Sequence, residues 1–421
     1  MREKLSKLVN VYKKYGVLGF VRKVLSYISA NWLSRWNPTV LLRSKHHRAA
    51  IREMLNGEYD RVVLWRSSFG YNVPLFQRPQ HIARSLAKQG CLVLYEVTGM
   101  TDHVKTISGH EDNLYLVNLT NVFLHKMLME ELDQVEKPKY LQLYSTDWTL
   151  SMEDVRGYLD RDFGFIYEYI DHISSELSGT SMLPKAISEK YDYAMTDKDT
   201  FVVVTADLLR DDVIAKRGSE RMAFSTNGVD YDHFQSYDED FTFDPDFKKV
   251  LDIGKPIVCY YGALAKWFDY ELVRKIAATD KYSIVLFGMK YDESFNEQMK
   301  GVKDVHFLGP RDYTVLKHYA RACDILTIPF LINDITRSTS PVKVFEYMAM
   351  HKPVVTTDMH ECRKYDSVLI GKDHEEFIAL LDKALALASD ADYLAQLDAD
   401  ARSNDWSMKA RAIIEMLEQA E

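Results

Sequence analysis

The sequence lacks the features that mark several common classes of protein. Its four cysteines, Cys91, Cys259, Cys323 and Cys362, lie far apart and form no Cys-x-x-Cys or Cys/His pattern. This spacing argues against a structural zinc site and favours a reducing compartment. No run of about 18 apolar residues is present, so we expect no segment that spans a bilayer. No predicted strand is followed by G-x-G-x-x-G, which disfavours a dehydrogenase.

Acidic residues are almost missing from the first 50 positions. Residues 1–50 carry a net charge of +10, and the rest of the chain carries −19. Apolar residues recur at helical spacing within 2–28, so we predict a basic amphipathic arm over residues 1–56. Its expected partner is an anionic membrane surface, bound through residues 1–50, which would place the protein in the cytoplasm at the inner face of the membrane. The alternative is an arm packed on the protein's own acidic body. No nucleic acid is expected.

Beyond the arm, short apolar runs alternate with amphipathic stretches, which predicts an α/β fold with parallel sheets. The acidic stretch 231–255 reads as a linker. We therefore predict domains at 57–235 and 250–392, and a last helical segment at 393–421. The predicted strands are Arg61–Trp65, Cys91–Glu96, Tyr140–Tyr144, Phe163–Tyr169, Tyr191–Thr196, Phe201–Thr205, Ile257–Tyr261, Ser283–Phe287, Val305–Leu308, Asp324–Pro329, Pro353–Thr357 and Ser367–Ile370.

The segment from Ser340 to Ala349 predicts a short helix that leads into a buried strand. Ser340 is a good N-cap, and Pro341 suits the first helical position. Lys343 and the free N–H groups of the helix start suit an anion such as a diphosphate. Glu346, one turn further on, could accept hydrogen bonds from two ribose hydroxyls. The alternative is an ordinary capped helix with a solvated Lys–Glu pair.

This helix, with the Pro-Val-Val strand that follows it, resembles the nucleotide-sugar signature of the GT-B glycosyltransferases. Residues 57–421 are similar to a bacterial, teichuronic-acid-type subgroup that makes cell-surface polysaccharides. The resemblance implies two facing Rossmann-like domains, with the C-terminal helix crossing back to the first. It implies sugar transfer from a nucleotide-diphosphate sugar, most simply a UDP-sugar, to a hydroxyl of a lipid-linked or polymeric glycan. The Asp-x-Asp pairs lie in linker or helical stretches, so we expect no metal and no other cofactor.

Further donor-site residues follow from the resemblance. Gly262 and Lys266 lie in the expected phosphate-side loop, where Gly262 allows close approach of the backbone to a ligand. Gly288, Arg311 and Tyr313 lie in turns that would flank the base. The alternative for Tyr313 and its neighbours is a helix start capped by Asp312.

Residues of the first domain are candidates for the acceptor side. Asp171 and His172 follow a predicted strand, and Asp171 could act as general base if the enzyme inverts, or could cap the next helix. Arg78 and Gln80 match the Arg-Pro-Gln helix start of the subgroup, and Arg78 could bind an anion or brace the preceding loop. Many retaining enzymes carry a first glutamate where this chain has Ser338, so only half of the paired-glutamate motif is present.

Two other functions stay open at this point. A GT-B epimerase or hydrolase would share the donor site but would need no sugar acceptor. A catalytically silent carbohydrate-binding or scaffold protein would need neither, although the intact Lys343/Glu346 pair argues against it.

Overall fold

The computed structural model describes residues 35–67, 70–73, 76–97, 102–173, 183–337 and 339–421, with the backbone alone at 334 and 335. The described residues group into two compact units. The described residues of the first unit fall within 1–73, 87–143 and 155–164, and those of the second fall within 74–86, 144–154 and 165–421. Most of the predicted arm, and Ser338, lie outside the described residues. The sequence-based domain boundaries stay a prediction.

Unit 1 is built on a sheet whose strands run in the order β3-β4-β2-β1-β5. Val62, Val63 and Leu64 of β1 are fully buried, as expected for a strand covered on both faces. β1 pairs in parallel with β2 and β5, and β3 pairs antiparallel with β4. The strands are β1 (Arg61–Trp65), β2 (Cys91–Glu96), β3 (Ile107–Glu111), β4 (Leu114–Val117) and β5 (Lys139–Tyr144).

Unit 2 contains three parallel strands in the order β6-β7-β8 and a separate six-stranded parallel sheet. The order in the six-stranded sheet is β11-β10-β9-β12-β13-β14, so the chain changes direction between β9 and β12. Ligands of such sheets bind beyond the carboxyl ends of the strands at this point. The strands are β6 (Phe163–Tyr169), β7 (Phe201–Val204), β8 (Met222–Phe224), β9 (Ile257–Tyr261), β10 (Ser283–Phe287), β11 (Val305–Gly309), β12 (Ile325–Ile328), β13 (Val354–Thr357) and β14 (Val368–Gly371).

Helices connect the strands, as the parallel pairing requires. In the described residues they are α1 (Pro38–Leu42), α2 (Ser44–Leu55), α3 (Arg78–Lys88), α4 (Val122–Leu132), α5 (Met152–Leu159), α6 (Lys185–Thr196), α7 (Asp207–Arg217), α8 (Tyr231–Gln235), α9 (Pro245–Leu251), α10 (Tyr270–Ala278), α11 (Ser294–Gln298), α12 (Tyr313–Arg321), α13 (Asp334–Arg337), α14 (Val342–Ala349), α15 (His374–Leu387), α16 (Ala391–Ser403) and α17 (Trp406–Glu418). None of these helices is long and apolar enough to cross a membrane.

The structure corrects several sequence expectations. Tyr191–Thr196 is the end of helix α6 rather than a strand. Ile187, Lys190 and Ala194 are buried at helical spacing, and the Lys190 ammonium is held by the Asp147 and Leu150 carbonyl oxygens. The hairpin β3–β4 was not predicted, and the expected linker contains the short helices α8 and α9.

The last segment is two helices rather than one. Helix α16 ends with Asn404 as its C-cap residue. Asp405 then caps α17 by accepting a hydrogen bond from the Ser407 N–H. Helix α17 packs against β7 and β8, so the end of the chain returns to strands of the first predicted domain. Fold-class prediction and structure therefore agree on the path of the C-terminal helix.

The described part of the basic arm packs on the protein itself. Arg48 Nη1 lies 3.0 Å from Glu131 Oε1, and Arg52 Nε lies 2.7 Å from Glu131 Oε2. Arg48 also pairs with Glu130. For α2 the structure therefore shows the packed alternative, with helix α4 as the acidic surface.

Candidate functional site

Glycine turns end the strands next to the change in sheet direction. Gly262 follows β9 with a φ of 145°, and Gly288 follows β10 with a φ of 132°. A Cβ atom on Gly288 would lie 1.8 Å from the Gly262 carbonyl oxygen, so the two turns are in direct contact. Gly288 N–H donates to the carbonyl oxygen of Gly309 at the end of β11. The three strands therefore end in closely packed turns, and the positive φ and the lack of room for a Cβ atom require glycine at both positions.

Helix α14 begins beside this edge, one residue later than predicted. Pro341 is the N-cap residue, with extended dihedral angles, and Ser340 makes no capping hydrogen bond. The expected Ser340 cap is therefore wrong, because proline at the cap itself leaves the amides of the first turn without a side-chain acceptor. Ser340 is buried, and its carbonyl oxygen accepts a 2.6 Å hydrogen bond from Asn227 Nδ2. That bond fixes the segment around Asn227, which follows β8, to the start of α14.

The Lys343 side chain extends from the first turn of α14 across Gly262. An added Cβ on Gly262 would lie 2.4 Å from Lys343 Cε and 3.1 Å from Nζ. No carboxylate of the described residues lies within ion-pair distance of this ammonium. Burial lowers the pKa of Lys343, and the charge of Glu346 acts in the opposite direction. A half-buried ammonium without a carboxylate partner is suited to an incoming anion.

Glu346 lies one turn further along α14 and is only 6% exposed. Burial raises the pKa of this carboxyl, and a hydrogen bond from Tyr261 and the charge of Lys343 work against that rise. The Tyr261 hydroxyl donates to Glu346 Oε2 over 2.7 Å. The other carboxylate oxygen, Oε1, has no hydrogen bond from a described residue, so it is available to ligand hydroxyls.

Tyr261 is a site residue that was not among the candidates predicted from the sequence. The sequence feature that could have pointed to this residue is its position as the last residue of β9, directly before Gly262. An inward side chain at this position lies at the strand end. We predict that Tyr261→Phe moves the acidic limb of nucleotide affinity to higher pH. The ribose needs an ionised Glu346, and removing the donor raises the pKa of that carboxyl further, so ionisation is lost at a higher pH on acidification. Calorimetric titrations with UDP across pH measure this.

The matched control is Tyr347→Phe. Tyr347 is equally buried, but its hydroxyl donates to the Thr327 carbonyl oxygen over 3.4 Å and not to Glu346. This variant should leave the acidic limb of nucleotide affinity at the same pH as in the wild type. Identical profiles for wild type and Tyr261→Phe would show that the tyrosine does not set the state of Glu346.

Three predicted donor residues make other contacts. Lys266 is exposed and near Asp292. Arg311 donates to Asp244 Oδ2 over 2.6 Å and lies over the ring of Tyr319, so its guanidinium braces α9 against α12. Tyr313 begins α12, where Asp312 provides the cap.

The ring of Tyr313 stacks on His233 with centroids 4.5 Å apart, so one of its faces is occupied. Its hydroxyl is buried without a hydrogen-bond partner among the described residues. Burial, and then the charge of Glu346, raises the pKa of Tyr313. A contact of Tyr313 with the nucleotide base stays a prediction, and its hydroxyl is the group that could make this contact.

Arg78 and Gln80 lie at the start of α3 and are turned inward. Arg78 is 5% exposed, and its Nε lies 2.8 Å from Oε2 of the fully buried Glu168. Its other nitrogens donate to Thr226 O and Ser225 Oγ. Gln80 Oε1 accepts from the Gln77 N–H, which caps the helix start. These contacts favour the bracing role for Arg78 over direct binding of an anion.

Asp171 and His172 follow β6 in an irregular segment. Asp171 is half-buried, and burial raises the pKa of its carboxyl. His172 is exposed. Neither side chain has a hydrogen-bond partner among the described residues, so Asp171 caps no described helix. A carboxylate with a raised pKa at the end of a strand is suited to accept a proton.

One group of metal-ligating side chains occurs among the described residues, namely Asp207, His360 and Glu361. The ammonium of Lys364 lies 2.6 Å from Glu361 Oε2 and 3.0 Å from Asp207 Oδ2. This lysine already supplies the positive charge that a metal ion would bring. The group contains none of the predicted donor residues.

Comparison with known proteins shows what the chain is similar to. Residues 255–389 match the family described as glycosyl transferases group 1. A protein of Bacillus subtilis (strain 168) described as a teichuronic acid biosynthesis glycosyltransferase, TuaH, is 26% identical over 265 residues. That match covers 59% of this chain and 65% of the length of TuaH, just under two thirds.

Solved structures share the fold at low sequence identity. Sucrose-phosphate synthase from Thermosynechococcus elongatus superimposes with a TM-score of 0.58 at 14% identity, over 86% of this chain and 99% of that one. Anabaena HepE, solved in complex with UDP-glucose, gives 0.55 at 14% identity, over 85% and 99% of the two chains. A trehalose-6-phosphate protein of E. coli, bound with UDP-2-fluoro glucose, gives 0.62 at 13% identity, over 85% and 99%.

The chain therefore has the GT-B fold, an α/β fold with two parallel-sheet domains. Its residues 255–389 are similar to the glycosyl transferases group 1 family, and 59% of the chain is similar to TuaH. The resemblance to the GT-B glycosyltransferases that the Ser340–Ala349 segment indicated is confirmed. The roles of the individual site residues stay predictions.

Proposed function

We propose that this protein is a glycosyltransferase that moves a sugar from a nucleotide-diphosphate sugar to a hydroxyl of a lipid-linked or polymeric glycan in cell-surface polysaccharide synthesis. One observation carries the proposal. Among the described residues Lys343 has no carboxylate partner and lies across Gly262, and Glu346 follows one turn later with one carboxylate oxygen that accepts no hydrogen bond from them. An ammonium beside the uncapped first turn of a helix suits a diphosphate, and the carboxylate suits the ribose.

The same groups account for activation of the leaving group. Charge develops on the diphosphate as the bond to the sugar breaks, and Lys343 and the first amides of α14 are placed to stabilise it. Asp171 would take the proton from the acceptor hydroxyl if the reaction inverts. This mechanism assigns no step to a metal ion or another cofactor. UDP is the expected nucleotide, supported by the UDP-sugar complexes of HepE and the E. coli relative.

A nucleotide screen tests the donor site. UDP should raise the melting temperature of the full chain more than GDP, dTDP or CMP, because a ligand that binds the native state alone stabilises it by ~2.7 kcal/mol at a hundredfold excess over Kd. If none of the four nucleotides raises the melting temperature, the proposal is wrong. Product analysis of a UDP-sugar reaction with and without a glycan acceptor then separates transfer from hydrolysis or epimerisation.

We also propose that the basic amino-terminal region binds an anionic membrane surface. The net charge of +10 over residues 1–50 supports this, as do Trp36, Leu41 and Leu42, which are exposed large apolar side chains. Arg48 and Arg52 are paired with Glu131 of α4, so the contact with the membrane would be made by the residues before them. Deleting residues 1–42, which leaves the ion pairs of α2 with α4 in place, should release the chain from vesicles that contain phosphatidylglycerol, and unchanged sedimentation with the vesicles would exclude this role.

A further inference from the structure

A cavity of about 610 Å³ opens at the carboxyl edge of the six-stranded sheet, outside the candidate donor site. The segments that follow β12, β13 and β14 line it, together with the starts of α10 and α15. None of the predicted donor residues is part of its lining. Its volume lies within the range of small-molecule sites.

One wall of the cavity is a fixed polar network around His374. His374 Nε2 lies 2.8 Å from Asp269 Oδ2, and its Nδ1 lies 3.0 Å from Lys275 Nζ. An ammonium can only donate, so Nδ1 accepts and Nε2 carries the proton toward Asp269. Asp269 is buried, and its Oδ1 accepts from the Leu272 N–H at the start of α10. Because every member is held by another, this wall is preformed.

The rest of the lining combines apolar and free charged groups. Leu331 and Ile332 expose 42% and 41% of their surface. Lys372 and Glu375 are exposed, and their side chains make no hydrogen bond or ion pair with a described residue. The free groups therefore comprise one donor-only cation and one acceptor-only anion beside an aliphatic ridge.

This combination restricts the chemistry of a ligand. A phosphate would meet Asp269, Asp358, Asp373 and Glu375, which outnumber the lysines of the lining. A purely apolar molecule would leave the lysine and the carboxylate desolvated without partners. A hydroxyl both donates and accepts, so adjacent hydroxyls satisfy Lys372 and Glu375 together, while the C–H face of a sugar ring covers Leu331 and Ile332.

We propose that this cavity is a saccharide-binding subsite, separate from the donor site, that takes an uncharged part of a glycan. The inference rests on the proposed glycosyl transfer for its purpose, since a second contact with a polymeric acceptor would hold the chain while its end reacts. Saccharide binding itself can be measured without turnover.

The test uses the full chain, both without UDP and saturated with UDP, and three probes, which are maltotetraose, chitotetraose and tetragalacturonic acid. At least one of the neutral probes should bind in calorimetric titrations. The double variant Lys372→Ala/Glu375→Ala should weaken that binding about tenfold or more, since it removes hydrogen bonds to charged groups worth ~1.5–3 kcal/mol each. The variant should fold normally, because neither side chain has a partner among the described residues.

The matched control is Lys300→Ala/Glu297→Ala, which removes an exposed lysine and glutamate elsewhere in the same unit and should leave the affinity unchanged. Failure of both neutral probes, loss of their binding when UDP is added, or equal affinities in both double variants would overturn the subsite. The melting-temperature shift with UDP is recorded on the same samples. If that shift is retained while the sugars fail, only the subsite is wrong; if it is absent, the proposed function fails instead.

Discussion

Replacing Lys343 with methionine should weaken UDP binding about 10- to 100-fold without lowering the stability of the ligand-free protein. A hydrogen bond to a charged group contributes ~1.5–3 kcal/mol, which is about one to two decades in Kd. Burial lowers the pKa of Lys343, so the native structure holds its charged form at a cost. Methionine removes that cost, and the melting temperature without nucleotide should stay level or rise. Calorimetry with UDP and thermal unfolding measure the two effects.

The matched control for this variant is Lys352→Met. Lys352 is also half-buried, and burial lowers its pKa too, but it follows α14 and is not near Gly262. The control should retain the full response to UDP. If Lys343→Met binds UDP as wild type does, or if both variants lose binding equally, the ammonium at Gly262 is not the diphosphate site.

The second large effect is expected at Asp171. Asp171→Asn should reduce the rate of sugar transfer by about 10²- to 10⁴-fold, the usual contribution of a general base, while UDP binds with unchanged affinity. The base must be ionised, and burial raises the pKa of Asp171, so wild-type activity should fall on acidification at a higher pH than an exposed aspartate would give. Initial rates with a UDP-sugar and an acceptor, measured across pH, show both effects.

Asp199→Asn is the control, because Asp199 is a largely exposed aspartate that pairs with Arg221. Its rate should match that of the wild type. Transfer at the wild-type rate by Asp171→Asn would remove this carboxylate from the mechanism and would favour a retaining reaction. His172→Ala should have a smaller effect than Asp171→Asn, because the His172 side chain is exposed.

Much of the fold could be predicted because parallel strands leave a clear local signal. The buried apolar runs at Ile257–Tyr261 and Ser283–Phe287 agree with the structure residue for residue. The strand predicted at Tyr191–Thr196 was wrong. The aromatic residues of this segment suggest a strand, whereas burial repeats every three to four residues from Ile187 onward, as in a helix. The β3 strand was missed because Ser108, Gly109 and His110 are exposed and carry no apolar pattern.

The candidate site was predictable only where chemistry is local in the sequence. Lys343 and Glu346 share one helix, so their spacing along the chain is enough to place them on one face. Tyr261 reaches Glu346 across 85 positions of the chain, and Arg78 reaches Glu168 across 90. Contacts of that range depend on the packing of the whole domain. Sequence spacing therefore could not show that Arg78 is turned inward or that a tyrosine holds the glutamate.

The most direct test of the account is a crystal structure of the full chain grown with UDP. We expect the diphosphate within hydrogen-bond distance of Lys343 Nζ and the first amides of α14, with the ribose hydroxyls on Glu346. A nucleotide bound at another place, with this helix start empty, would contradict the central claim.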